Sequence, residues 1–124
     1  MAKRKLVFVV DDDASVLRSI QRLLIGHGFN ARVFDSGVAL LDHDDFDEAF
    51  CMILDINLND QSGIDLRTKL SAQGVVTPVI FITGDDTPTK RSAAMRSGCI
   101  AYLTKPFSAP SLIEPVTLAF AAAA

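Results

Sequence analysis

The chain has 124 residues, 49% of them hydrophobic, and a formal net charge of −3. One domain of that size buries roughly two thirds of the surface its unfolded chain exposes, so it needs no disulfide or metal staple. The acidic balance speaks against a nucleic-acid-binding surface on this domain, and no apolar run approaches membrane length. The start, MAKRK, has the charge of a signal-peptide head. The apolar run behind it, Leu6 to Val10, is too short before three acids intervene, so a soluble cytoplasmic domain is expected. Cys51 and Cys99 sit in or beside apolar segments with no short spacing to each other, as reduced core thiols do.

Along the chain two periodicities alternate. Leu6 to Val10 is apolar on both faces, the mark of a central parallel strand. After Asp11-Asp12-Asp13, the residues Val16, Ile20, Leu23 and Leu24 fall at helical spacing. One of the acids can cap that helix, and Gly26-His27-Gly28 stops it. Ala31 to Phe34 reads as a second strand and Ser36 to Leu41 as a short helix. The acidic run Asp42 to Glu48 reads as a solvated loop. The apolar run Phe50 to Leu54 then ends abruptly in Asp55, and turn formers follow at once: Asn57, Asn59, Asp60, Ser62 and Gly63.

Ser62 can cap a helix carrying Ile64, Leu66 and Leu70 that ends near Gly74. Val79 to Ile82 is a fourth strand, closing on Thr83-Gly84-Asp85-Asp86. Thr87-Pro88 opens the next helix and Gly98 stops it. Its apolar residues are mainly Ala93, Ala94 and Met95, beside Lys90, Arg91 and Arg96, so it should be weakly packed. Ile100 to Leu103 is a fifth strand and Lys105-Pro106 the turn after it. Leu112, Val116, Ala119 and Phe120 form the inner face of a last helix. Five strands alternating with helices predict a parallel α/β sheet with helices on both faces.

That architecture gathers polar strand ends at one edge, where ligands of open parallel sheets bind. Asp11, Asp12, Asp55, Thr83 and Lys105 all fall there. Two carboxylates about 4 Å apart repel by ~4 kcal/mol at an effective dielectric near 20, so such a cluster holds a cation, takes up a proton, or leans on an ammonium. Oxygen ligands in an open site suit Mg²⁺. Zinc is not expected, since His27 and His43 lie elsewhere and read as surface or helix-end residues. With Lys105 and Thr83 facing the oxygens of a phosphoryl group, Asp55 is placed to attack phosphorus and form an acyl phosphate. The chain has no glycine-rich nucleotide loop, so the phosphate must come from outside.

In these motifs the chain resembles the receiver domain of bacterial two-component response regulators over essentially its whole length. Asp11-Asp12, Asp55, Thr83-Gly84 and Lys105-Pro106 stand in the family's order. The resemblance implies a flavodoxin-like, doubly wound five-stranded parallel sheet in the order 2-1-3-4-5, with five helices. Residues 1–120 would be the receiver domain and 121–124 a tail or the start of a linker. It further implies Mg²⁺ held by Asp12 and Asp55, by the Asn57 backbone carbonyl, and by Asp11 through water, with Asp13 a helix cap. Asp55 would be the phosphoacceptor, with Thr83 and Lys105 as its catalytic partners and a cis Lys105-Pro106 bond. Thr83 and Tyr102 would switch the face made by the fourth helix, fifth strand and fifth helix, and Asn57 and Asp85 would tune dephosphorylation. The domain would phosphorylate and dephosphorylate only itself.

Implied partners are a sensor histidine kinase or phosphotransfer protein, and a downstream protein or an output domain not in this sequence. A phosphorylation-dependent homodimer is a further option, although Pro115 keeps a family dimer mode from being carried over. No direct contact with nucleic acid or membrane is implied. Two departures from the family pattern stand out. Leu58-Asn59 replaces the usual Leu-Pro or Met-Pro, predicting a looser loop, and Pro115 predicts a last helix that begins near Ser111 or kinks. Two other readings compete. FVVDDDASV and FITG also resemble motifs of haloacid-dehalogenase-like phosphatases, with Asp11 as nucleophile and Asp13 as acid, and the same fold can serve as a phosphorylation-independent interaction module.

Overall fold

The computed structural model describes residues 5–123. The charged start at residues 1–4 and the last residue of the predicted tail lie outside them. Strands β1 (Leu6–Val10), β2 (Asn30–Phe34), β3 (Ala49–Asp55), β4 (Val79–Thr83) and β5 (Ala101–Thr104) alternate with five helices. These are α1 (Ala14–Gly26), α2 (Gly37–Leu41), α3 (Gly63–Ala72), α4 (Pro88–Arg96) and α5 (Ala109–Ala122). All strand pairs are parallel, and the sheet runs β2-β1-β3-β4-β5, the order expected.

Alternation along the strands divides the core in two. Val7, Val9, Cys51, Ile53, Ile80 and Ile82 face Leu17, Ile20 and Leu24 of α1 and Leu112, Val116 and Ala119 of α5. Their neighbours Phe8, Val10, Met52, Leu54 and Phe81 face Leu40 of α2, Leu66 and Leu70 of α3, and Ala94 of α4. Each large side chain so buried contributes about 1.5–3 kcal/mol, so the first and third helices, with three and two large anchors, are held far more firmly than α4. Among α4's residues only Ala94 is buried. Both thiols are free; burial pushes Cys51 up to about 12 and also raises the half-buried Cys99, which favours the protonated thiol at each.

Capping follows the sequence closely. Asp13, Ser62 and Thr87 accept from the first-turn N–H groups of Ser15, Ile64 and Lys90. Gly74 and Gly98 adopt φ of 83° and 85° after α3 and α4, a conformation that a side chain disfavours. Four expectations need correction. β2 starts one residue early, at Asn30. β5 starts one residue late, at Ala101 opposite Ile80; Ile100 gives its N–H to the Val79 carbonyl but leaves its side chain exposed.

The third correction concerns α5. It starts at Ala109 and continues through Pro115 to Ala122. Ser108 caps it by accepting from Ser111 N–H, and Pro110 occupies the first turn, where a missing donor costs nothing. Buried Leu112, Val116 and Ala119 then hold the helix to the sheet on both sides of Pro115. The fourth is the acidic run, which is not wholly solvated: it holds a 3-10 turn, Phe46–Glu48. Its His43 is a half-buried helix-end residue, with its N–H on the Leu40 carbonyl at the end of α2. The ring packs edge-on against Phe8 and Phe34, and Nε2 lies 2.6 Å from Glu48, which also receives Arg32. His27 does end α1, with Nδ1 2.9 Å from the Leu23 carbonyl.

Candidate functional site

The C-terminal ends of β1, β3, β4 and β5 deliver Asp11, Asp55, Thr83 and Lys105 to one crevice. Asp11 follows β1 and is fully buried, with its N–H bonded to the Phe34 carbonyl on β2. Asp55 ends β3 with only 3% of its surface exposed. The Lys105 ammonium reaches back across the sheet to both, donating to Asp11 Oδ2 at 2.8 Å and Asp55 Oδ2 at 3.3 Å. The Lys105-Pro106 bond is cis, as expected. Asp11 Oδ1 accepts from Asp13 N–H, and Asp55 Oδ1 from Asn57 N–H.

Charge in the crevice is unbalanced. Asp11, Asp12 and Asp55 each offer an oxygen within 4.8 Å of the others, and among the described residues only Lys105 is paired with any of the three. Burial pushes the Asp11 carboxyl above its ordinary value, against hydrogen bonds from Lys105 and Asp13, and the charge of Asp55 pushes the same way. Burial would lower the Lys105 ammonium, but its bond to Asp11 and the charges of Asp11 and Asp55 hold it above its usual value. Three neighbouring carboxylates, two of them paired with one ammonium, form an acidic pocket whose chemistry fits a hard divalent cation.

Thr83 is fully buried at the end of β4. Its Oγ1 accepts from Asn57 Nδ2 at 3.2 Å and from Asp85 N–H at 3.1 Å, which leaves its own proton free to donate elsewhere. Asn57 thus spans the site, with its N–H on Asp55 and its amide on Thr83. The Asp85 side chain is not part of the crevice. It is exposed and pairs with Lys90 at 2.8 Å. Tyr102 lies on β5 with its ring buried, and its hydroxyl donates to Asp86 Oδ1 at 2.8 Å. Arg91 of α4 sits 4.6 Å over that ring and donates to the other Asp86 oxygen.

Asp86 was visible in the sequence only as one more turn acid; nothing local marked its partners. The same is true of Asp60, whose two oxygens accept from Gly37 and Val38 N–H at the start of α2. The loop that lacks the usual proline is therefore tied across to another helix. Its other end is fixed by the close approach of Gly63, where a Cβ would lie 2.2 Å from the Asp55 carbonyl oxygen. Asp13 points away and caps α1 through Ser15, which removes the acid that a phosphatase with Asp11 as nucleophile would use.

The family model for the response regulator receiver domain matches residues 7–117. The chain belongs to that family. Nodulation protein W of Bradyrhizobium diazoefficiens is 34% identical to this receiver domain over 116 residues, 94% of this chain and 51% of that protein. The transcriptional regulatory protein TdiR of Thauera aromatica is 34% identical over 93% of this chain and 51% of its own. The solved structure of the response regulator StyR superposes with a TM-score of 0.84 at 37% identity, covering 97% of this chain and 60% of that one. The chain spans about half the length of the curated relatives it matches. A receiver domain is a signalling domain of two-component systems and not an enzyme in the ordinary sense. None of the helices described is long and apolar enough to cross a membrane.

Proposed function

We propose that Asp55 of this receiver domain accepts a phosphoryl group from the phosphohistidine of a sensor kinase or phosphotransfer protein. The observation that carries this reading is the Lys105 ammonium lying between the carboxylates of Asp11 and Asp55 at the strand ends. In the reaction an Asp55 carboxylate oxygen forms a bond to phosphorus while the bond from phosphorus to the donor imidazole nitrogen breaks. The leaving imidazole takes a proton from water. Lys105 follows the charge from the carboxylate onto the phosphoryl oxygens, and the Thr83 hydroxyl has a proton free to donate to one of them. Asp12, Asp55 and the Asn57 carbonyl, with Asp11 behind them, would hold Mg²⁺, which when bound offsets negative charge on those oxygens.

Signalling then runs through Thr83. Moving toward the phosphoryl group takes its oxygen away from Asn57 and opens space behind it for Tyr102. The element carried along is α4, whose only buried residue is Ala94. The unit that acts is residues 1–120, and its signal is read by a protein partner or an attached output domain. Since TdiR is a transcriptional regulatory protein, transcription is the output we propose. For phosphate lifetime Asn57 is the stronger candidate, because the Asp85 carboxylate is turned to Lys90.

The test is labelling with acetyl phosphate and Mg²⁺. Wild-type protein should gain a hydroxylamine-labile phosphate that is absent from Asp55→Asn. Equal labelling of Asp55→Asn, with loss in Asp11→Asn, would overturn the assignment in favour of phosphatase chemistry.

A further inference from the structure

The loop from Asn57 to Ser62 carries the backbone carbonyl and the amide that complete the site, yet little apolar mass holds it. Its base is closed by the bridge between Asn57 and Ser62 and by Gly63 N–H on the Ile56 carbonyl. Leu58 is buried, but Asn59 and Asp60 at the tip are exposed. What fixes the tip is the Asp60 carboxylate, which takes Gly37 N–H at 3.1 Å and Val38 N–H at 2.9 Å, one on each oxygen. Beside it the Gln61 side chain lies so close over Gly37 that a Cβ there would meet it at 2.5 Å, and Lys69 of α3 holds the Gln61 oxygen at 2.9 Å.

The contact matters to both sides. The five-residue α2 buries only Gly37 and Leu40. Its first three N–H groups are all satisfied from outside the helix, Ala39 by Ser36 and the other two by Asp60. A carboxylate receiving two N–H groups at a positive helix end makes a charge-assisted clamp stronger than neutral bonds. The loop is therefore gripped at its base by the sheet and at its tip by a different helix, with Asn57 next to the base.

We propose that Asp60 is a positioning residue for phosphoryl acceptance: by clamping the loop tip to α2 it holds the Asn57 backbone where the site's cation is bound. This rests on the phosphoacceptor reading above. Asp60 touches neither phosphate nor metal; it acts through Asn57.

The test titrates the full chain with Mg²⁺ by calorimetry and follows the Mg²⁺ dependence of labelling by acetyl phosphate. In Asp60→Ala the half-saturating Mg²⁺ concentration should rise about tenfold, the low end for groups that orient metal ligands, while labelling at saturating Mg²⁺ keeps its wild-type rate. Asp60→Asn, which keeps one acceptor oxygen, should recover most of the loss. A residue that merely stabilises the fold would lower the unfolding temperature and leave Mg²⁺ half-saturation where it was. That result overturns the proposal while leaving the phosphoacceptor reading intact. If Asp60→Ala does not fold, Val38→Pro makes the same test from the helix side. Proline fits a first helical turn and removes the 2.9 Å donor, so Mg²⁺ binding should weaken in the same direction. If wild-type protein itself takes up no Mg²⁺, the reading and the proposal fall together.

Discussion

Lys105→Met removes the ammonium that lies between Asp11 and Asp55 and leaves the packing of the side-chain stem nearly unchanged. Lys105 is about a quarter exposed, while the two carboxylates it serves are buried, so solvent screens the pair little. Two carboxylate oxygens within 4.8 Å repel by at least ~3.5 kcal/mol at an effective dielectric of about 20. Breaking a buried pair from one side costs ~3–5 kcal/mol. A ceiling comes from protonation, since keeping a carboxyl neutral at neutral pH costs ~4 kcal/mol. Metal-free Lys105→Met should therefore lose ~3–4 kcal/mol of unfolding free energy at neutral pH, measured by urea denaturation with a chelator present.

The sign of the pH dependence follows from Asp11, which burial holds above its ordinary value. The folded variant binds a proton more readily than the unfolded chain, so its stability climbs as pH falls from neutral toward the ordinary carboxylate range. Mg²⁺ should also restore more stability to the variant than to wild type, because no ammonium competes for the oxygens. A loss below ~1 kcal/mol, the size of an exposed ion pair, or equal stabilisation of both proteins by Mg²⁺, would refute the reasoning.

Tyr102 is the chain's one tyrosine, so phenolate absorbance during alkaline titration reads it alone. Its phenol is pushed up to about 12, first by burial and then by the bond to Asp86. Asp86→Asn should bring the midpoint down without reaching the ordinary value, since the burial remains; an unchanged midpoint would show that the bond does not exist in solution. Gly63→Ala forces a Cβ onto the Asp55 carbonyl oxygen and should cost ~1–3 kcal/mol in denaturant unfolding. At Gly84 the nearest atom to an added Cβ is the Lys105 side chain at 4.0 Å, so Gly84→Ala should stay within ~0.5 kcal/mol. Pro115→Ala restores a helix donor in the interior of α5 and should raise unfolding free energy by up to ~3 kcal/mol; no gain would mean that the helix has already adapted to its proline.

The strands and the crevice were legible in the sequence because both are written locally. A buried parallel strand is a short apolar run, and a polar residue at or just past its end marks the sheet's ligand edge even where that residue is itself buried, so Asp55, Thr83 and Lys105 declared themselves by where the runs stopped. Pairings between loops were not legible. Asp60 could have bonded any nearby N–H group, and only the packed arrangement puts the start of α2 within its reach. Asp86 and Tyr102 stand far apart in sequence, and no periodicity links a turn acid to a strand phenol. His43 stands at a helix end, as its position suggests, but its ring packing was not legible, because Phe8 and Phe34 come from strands that only the fold brings beside it. The start of α5 was missed because proline propensity was weighed without the buried residues that override it.

The sheet acts as a partition between two unequal halves. On one side α1 and α5 are secured by rows of large side chains. On the other, α4 rests on a single alanine and on the ring and carboxylate it shares with β5. Displacing α4 therefore disturbs little of what secures α1 and α5. The surface over α1 thus keeps nearly the same relief whether or not the opposite side of the sheet has moved.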